Sequence, residues 1–112
     1  MKSKNKFNDL QNVPGVGNVV ANDLRELGYN CIADLAGEDP ELMYVRHNDK
    51  KGSVQDICML YTFRGAVYFA ETYGGVQDPE KLKWWNWMDR KKTDSKAKDA
   101  EIRKKKGLAA LE

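Results

Sequence analysis

The feature that most restricts the fold of this chain is the run Val13-Pro14-Gly15-Val16-Gly17, which divides a helix-spaced apolar pattern into two limbs. Phe7 and Leu10 lie before it; Val20, Ala21, Leu24 and Leu27 follow. Proline cannot continue a helix and glycine opens positive φ, so the chain must reverse here as a hairpin between helices. Gly28 sits where a helix C′ residue belongs, which predicts a second limb over about residues 18 to 27.

Further along, Ile32, Ala33 and Leu35 predict a short helix. Asp39-Pro40-Glu41 reads as N-cap, proline at the first helical position and an acid in the first turn, opening a helix to about His47. Asn48-Asp49-Lys50-Lys51-Gly52 reads as a polar turn, and Ser53 with Asp56 resembles a capping box. The longest predicted helix, about 54 to 72, carries Val54, Ile57, Cys58, Tyr61 and Tyr68 in one stripe and Leu60, Phe63, Val67 and Ala70 in another. So much apolar circumference marks a central, buried helix. Gly74-Gly75 ends it, and Asp78-Pro79-Glu80 repeats the start signal before Leu82, Trp84, Trp85 and Trp87. Three tryptophans so close cannot share one helix face, so one or two should cap the core and another stay partly exposed.

These elements add up to an all-α fold of about five short helices, and 112 residues suit one core. The expected division is a disordered basic arm over 1–6, a domain over 7–89, and a Lys-rich tail over 90–112 whose Leu111-Glu112 reads as a tag scar. Residues 7–80 carry five basic against twelve acidic side chains, and residues 81–111 eleven basic against four acidic, with Lys2, Lys4 and Lys6 at the other end. An acidic body is thus flanked by basic arms. From Arg90 onward large apolar residues are few, which predicts a disordered or marginally helical tail.

Several functions are excluded. No run approaches the roughly 20 apolar residues of a membrane span, and the start lacks the apolar stretch of a secretory signal, so a cytoplasmic location is expected. Cys31 and Cys58 read as reduced thiols without a disulfide. Together with His47 they lack the paired spacing of a zinc site, so no metal is expected. One histidine, no nucleophile elbow and no phosphate loop predict a non-catalytic protein with no cofactor. Arg64, alone in an apolar helix, needs a partner such as Asp34, Asp39 or Asp56.

The series Leu10, Val13, Gly15, Val16, Gly17, Ala21, Leu24 matches the helix-hairpin-helix pattern of SAM-like domains. Gly15 and Gly17 let the backbone turn sharply and present amides at a helix start, where the dipole and unpaired N–H groups favour an anion. A DNA phosphate is the natural candidate, contacted by Gly15, Val16, Gly17 and Asn18 without reading bases. Lys81 and Lys83 beside the tryptophans, and Lys91 and Lys92 in the tail, are candidate auxiliary contacts. Against this, Asn18 and Val19 stand where DNA-binding hairpins usually carry Lys or Arg, and Asp23 and Glu26 would repel a duplex. The other reading is a turn that only locks two helices together.

The hairpin, Ile32-Ala33-Asp34-Leu35 with Asp39-Pro40-Glu41-Leu42, the helix Leu60 to Ala70, and Leu82-Lys83-Trp84-Trp85-Asn86-Trp87 together resemble the bacterial "pathogenicity locus" family of small helix-hairpin-helix proteins, over about residues 7 to 89. That resemblance implies the fold, with DNA binding inferred from the motif. Two functions follow as expectations: a non-catalytic, sequence-independent DNA-binding module, or a protein-interaction adaptor built on the acidic body and exposed aromatics.

Overall fold

A computed structural model describes residues 9–110. Phe7, the 1–6 arm and Leu111-Glu112 lie outside the described residues. The described chain is all-helical, with four α-helices: α1 (Asn18–Glu26), α2 (Pro40–Lys51), α3 (Cys58–Glu71) and α4 (Ser95–Lys106). Four short 3-10 turns join them, at Leu10–Asn12, Ile32–Leu35, Pro79–Leu82 and Trp84–Trp87.

The central element is α3. Leu60, Phe63, Ala66 and Val67 are buried on it. It packs against α2, the Ile32–Leu35 turn and both 3-10 turns of residues 79–87. Around it the core gathers Leu10, Val13, Val16, Ala21 and Leu24 from the N-terminal segment, Ile32 and Leu35, and Met43, Tyr44 and Val45 of α2. Asp39 caps α2 by accepting from the Glu41 amide at 3.0 Å, with Pro40 at the first helical position, as its sequence signal predicts.

Three elements differ from their sequence expectation. First, α2 runs to Lys51, through residues expected to form a polar turn, and ends at Gly52 in the left-handed region (φ 76°). The reason is Asn48, which faces inward: its amide donates to Asp99 and its carbonyl oxygen accepts from the Gln55 amide, both at 2.9 Å. Second, α3 begins at Cys58, and the cap is not Ser53. The Asp56 carboxylate accepts from the Cys58 amide at 2.8 Å.

The third difference is the largest. Residues expected to be a disordered or marginally helical tail form α4, which docks on α2 with Ile102 fully buried in the core. Asp94 caps its start, accepting from the Ala97 amide at 2.7 Å. Asp99 and Arg103, four residues apart, pair at 2.7 Å with both side chains almost wholly buried. Arg103 also reaches Asp49 at 2.8 Å and the Val45 carbonyl at 3.2 Å. Composition misleads here because the segment buries charge with charge instead of apolar surface.

Candidate nucleic-acid interface

The Val13–Gly17 turn is fixed from inside. Val13 and Val16 are buried, and the Val16 amide donates to the Val13 carbonyl at 3.0 Å. Gly15 takes φ +84°, a conformation that costs an ordinary residue about 1–2 kcal/mol. It also lies beneath Trp84: a Cβ on Gly15 would stand 3.7 Å from Trp84 Cδ1.

The chain then enters α1 through Gly17, an N-cap in extended conformation (φ −93°) with no side chain to bond the helix amides. No acid occupies the first turn of α1, and the space where a Gly17 Cβ would point is open. The first intrahelical bond is Ala21 N–H to the Gly17 carbonyl at 2.9 Å. The amides ahead of it have no acceptor within the helix, and their dipoles sum to partial positive charge at this end. Among the residues assigned to a phosphate, then, Val16 has its amide engaged in the turn, while Gly17 and Asn18 stand at the open helix end. The Asn18 side chain accepts from Gln11 Nε2 at 3.2 Å, tying the helix end to the preceding limb.

Beside this end the fold places the tryptophan turn, a juxtaposition that the sequence did not disclose. Trp84 packs on Gly15 and meets Trp85 edge-to-face at 5.8 Å between centroids. Trp85 is 52 % and Val19 72 % exposed. Trp87 instead points inward; its indole N–H donates to the Lys81 carbonyl at 2.7 Å, and Gly65 of α3 leaves room for the ring. One exposed and two half-buried indoles match the packing that their spacing predicts.

The charges are distributed less simply. Lys83, next to Trp84 in sequence, pairs with Glu80 at 3.1 Å, and Lys81 lies 5.6 Å from the Tyr68 ring centre. Lys91 and Lys92 line a separate groove with Asp89, Asp94 and Lys98. Asp23 is buried and pairs with Lys51 at 3.0 Å, and Glu26 shares the same ammonium at 3.7 Å. Both carboxylates expected to repel a duplex are therefore partly neutralised from α2.

Arg64 has partners other than those expected. It donates to the Trp87 carbonyl at 2.8 Å and to Asp89 at 2.9 Å, with Glu41 at 3.8 Å. Asp34, Asp39 and Asp56 are engaged elsewhere, with the Asn30 amide, Lys106 and the Cys58 amide. Asp89 is invisible as a partner in sequence because it follows the tryptophan turn, 25 residues on. Its other oxygen lies 2.9 Å from Lys98 Nζ in a second ion pair. Burial by itself would raise the Asp89 pKa; Lys98 and Arg64 outweigh it and hold the carboxyl below the ordinary value.

Cys31 and Cys58 are half-buried free thiols, and His47 is buried edge-on against Phe63 at 5.8 Å. Among the described residues no cluster of His, Cys, Asp or Glu could hold a metal ion, and no helix is long and apolar enough to cross a membrane.

Fold and site thus define a small all-α domain with an open helix N-terminus set against an aromatic turn. The chain belongs to the Pathogenicity locus (Cdd1) family, whose model matches residues 3–93. No curated protein and no solved structure matches it. Helix α4 lies beyond the matched region.

Proposed function

We propose that this protein is a non-catalytic, sequence-independent DNA-binding module in which the Val13–Gly17 turn and α1 act as a helix-hairpin-helix that holds one backbone phosphate. The observation that carries the reading is the start of α1: a glycine N-cap, no side-chain cap and no acid in the first turn. An anion placed there accepts from the Gly17 and Asn18 amides and meets the positive end of the helix dipole. Val19 follows Asn18 on α1 and Trp85 adjoins Trp84, which packs on Gly15. These exposed side chains suit contact with sugar or an unstacked base, and Lys83 in the same aromatic turn would add a cation on exchanging Glu80 for a phosphate. With Asn18 in place of a cation, binding is weak and strongly salt-dependent.

The test is fluorescence anisotropy of labelled duplex DNA with the full chain and Asn18→Lys, across a salt series. One added phosphate contact steepens the log–log salt slope by about one and tightens binding for all sequences alike. An unchanged slope in Asn18→Lys contradicts the reading.

A second reading has its own observation. Met88 is 47 % exposed at a groove of about 630 Å³ that it lines with Pro40, Arg64, Val67, Tyr68 and Trp87. As a protein-interaction adaptor, the chain would offer this groove, which Glu38, Glu71, Asp89 and Arg90 also line, to an apolar side chain, with less salt dependence than a phosphate contact.

A further inference from the structure

Helix α4 is attached in an unusual way. Ile102 is its one large apolar side chain, and it is fully buried. Three hydrogen bonds join it to the body, from Asn48 to Asp99, from Arg103 to the Val45 carbonyl and from the Ile57 amide to Ser95. The remaining polar contacts are ionic: Lys98 to Asp89 at 2.9 Å, Arg103 to Asp49 at 2.8 Å, Lys105 to Glu41 at 2.8 Å, and Lys106 to Asp39. Arg103 has its most buried partner, Asp99, on α4 itself. That pair would move with the helix, so undocking does not strand it. The latching cations at the C-terminal end are the more accessible ones, with the Lys105 side chain 56 % and that of Lys106 24 % exposed, against 9 % for Lys98 and 6 % for Arg103. The outward cations Arg90, Lys91, Lys92, Lys96 and Lys104 are exposed.

We infer that α4 is an electrostatic latch: the acidic face formed by Asp39, Glu41, Asp49 and Asp89 holds its cations in cis, and a polyanion competes for them and peels the helix from α2. The polyanion is met first by the outward lysines and takes over from the exposed Lys105 end. The body's carboxylates thus act as an intramolecular substitute for phosphates, which limits how tightly the basic segment grips one. This does not require the α1 amides to bind anything, so it goes beyond the reading above.

The test is NMR-detected hydrogen exchange on the full chain, read at the α4 amides and at Ile57, whose amide donates to Ser95 Oγ at 2.8 Å. At low salt these amides exchange at least about tenfold faster than those at the centre of α3. Raising NaCl from about 0.05 to about 0.5 M accelerates them several-fold more, because the pairs are partly exposed and screened. Asp39→Asn with Glu41→Gln, which keeps an N-cap acceptor, speeds their exchange by about 3- to 10-fold at low salt and flattens the salt response. Ile102→Ala speeds exchange and leaves the salt response intact, which separates the ionic grip from the apolar one.

Adding inorganic polyphosphate accelerates Ile57; duplex DNA in a second arm tells whether a nucleic acid does the same. Gly17→Asp leaves the polyphosphate effect unchanged, so failure of the α1 site and failure of the latch are distinguishable. Protection of α4 equal to that of α3 at every salt concentration overturns the inference. So does an Ile57 amide indifferent to polyphosphate, or an unaltered salt response in the double variant.

Discussion

Trp84 lies over Gly15, close enough that a Cβ on the glycine would stand 3.7 Å from its Cδ1. The turn that opens the N-terminus of α1 and the aromatic turn some 70 residues later therefore form one packed unit. Gly15→Ala fits that space but not the left-handed backbone (φ +84°). The expected loss is about 1–2 kcal/mol of stability, read as a lower urea midpoint.

Arg103→Leu removes the ion pair of the buried Asp99 and leaves it Asn48 alone. Breaking a buried pair costs about 3 kcal/mol or more, comparable with everything that burial of one isoleucine supplies. The expected outcome is melting of α4, seen as lost helical circular dichroism, while tryptophan fluorescence still reports a folded body. Retained helical signal would contradict this. Lys104→Leu, on the exposed face, should change stability by no more than about 0.5 kcal/mol.

Much of the fold was legible in local signals. Asp39-Pro40 opens α2 and the apolar circumference of α3 makes it central, because both depend on neighbours in sequence. The C-terminal helix was not legible from composition, although Asp94 at its start, Gly107 at its end and Asp99 four residues before Arg103 were all present as signals. Those signals describe a helix; only tertiary contact with Asn48, Asp49 and Val45 makes it stable. The candidate site was half legible. The glycines marked the open helix end, but nothing in the sequence brings Trp84 to Gly15 or Asp89 to Arg64.

Acid should destabilise the protein in two stages. Burial lowers the His47 pKa below its ordinary 6.5, with Asp23 opposing and Lys51 assisting. The unfolded chain therefore takes up this proton first, and stability falls as pH drops from about 6.5 toward the folded value. His47→Gln should remove this first decline. Asp39 and Asp89 are both raised by burial, yet ion pairs with Lys106, and with Lys98 and Arg64, leave them below the ordinary 3.8. Their contribution is present above that value and is lost as pH falls through the lower, folded pKa values. Urea midpoints across a pH series check both stages.

The tryptophans should separate by role. Trp87→Ala removes the bond to the Lys81 carbonyl and the contacts over Gly65 and Tyr68, costing about 3 kcal/mol. Trp85→Ala, at a half-exposed ring, should cost under about 0.5 kcal/mol and weaken DNA binding instead. Urea denaturation and anisotropy on the same two variants check the separation.

The most direct measurement is binding of labelled duplex DNA by the full chain, by Gly17→Asp and by Gly17→Ser. Both substitutions suit the extended Gly17 backbone and enter open space, and both supply the missing N-cap, so each variant should be folded and at least as stable as the parent. The serine variant should bind more weakly, because its hydroxyl occupies an amide, and the aspartate variant should lose hairpin-dependent binding because its carboxylate replaces the phosphate. Parent-like affinity in a folded Gly17→Asp protein would show that the open end of α1 holds no phosphate.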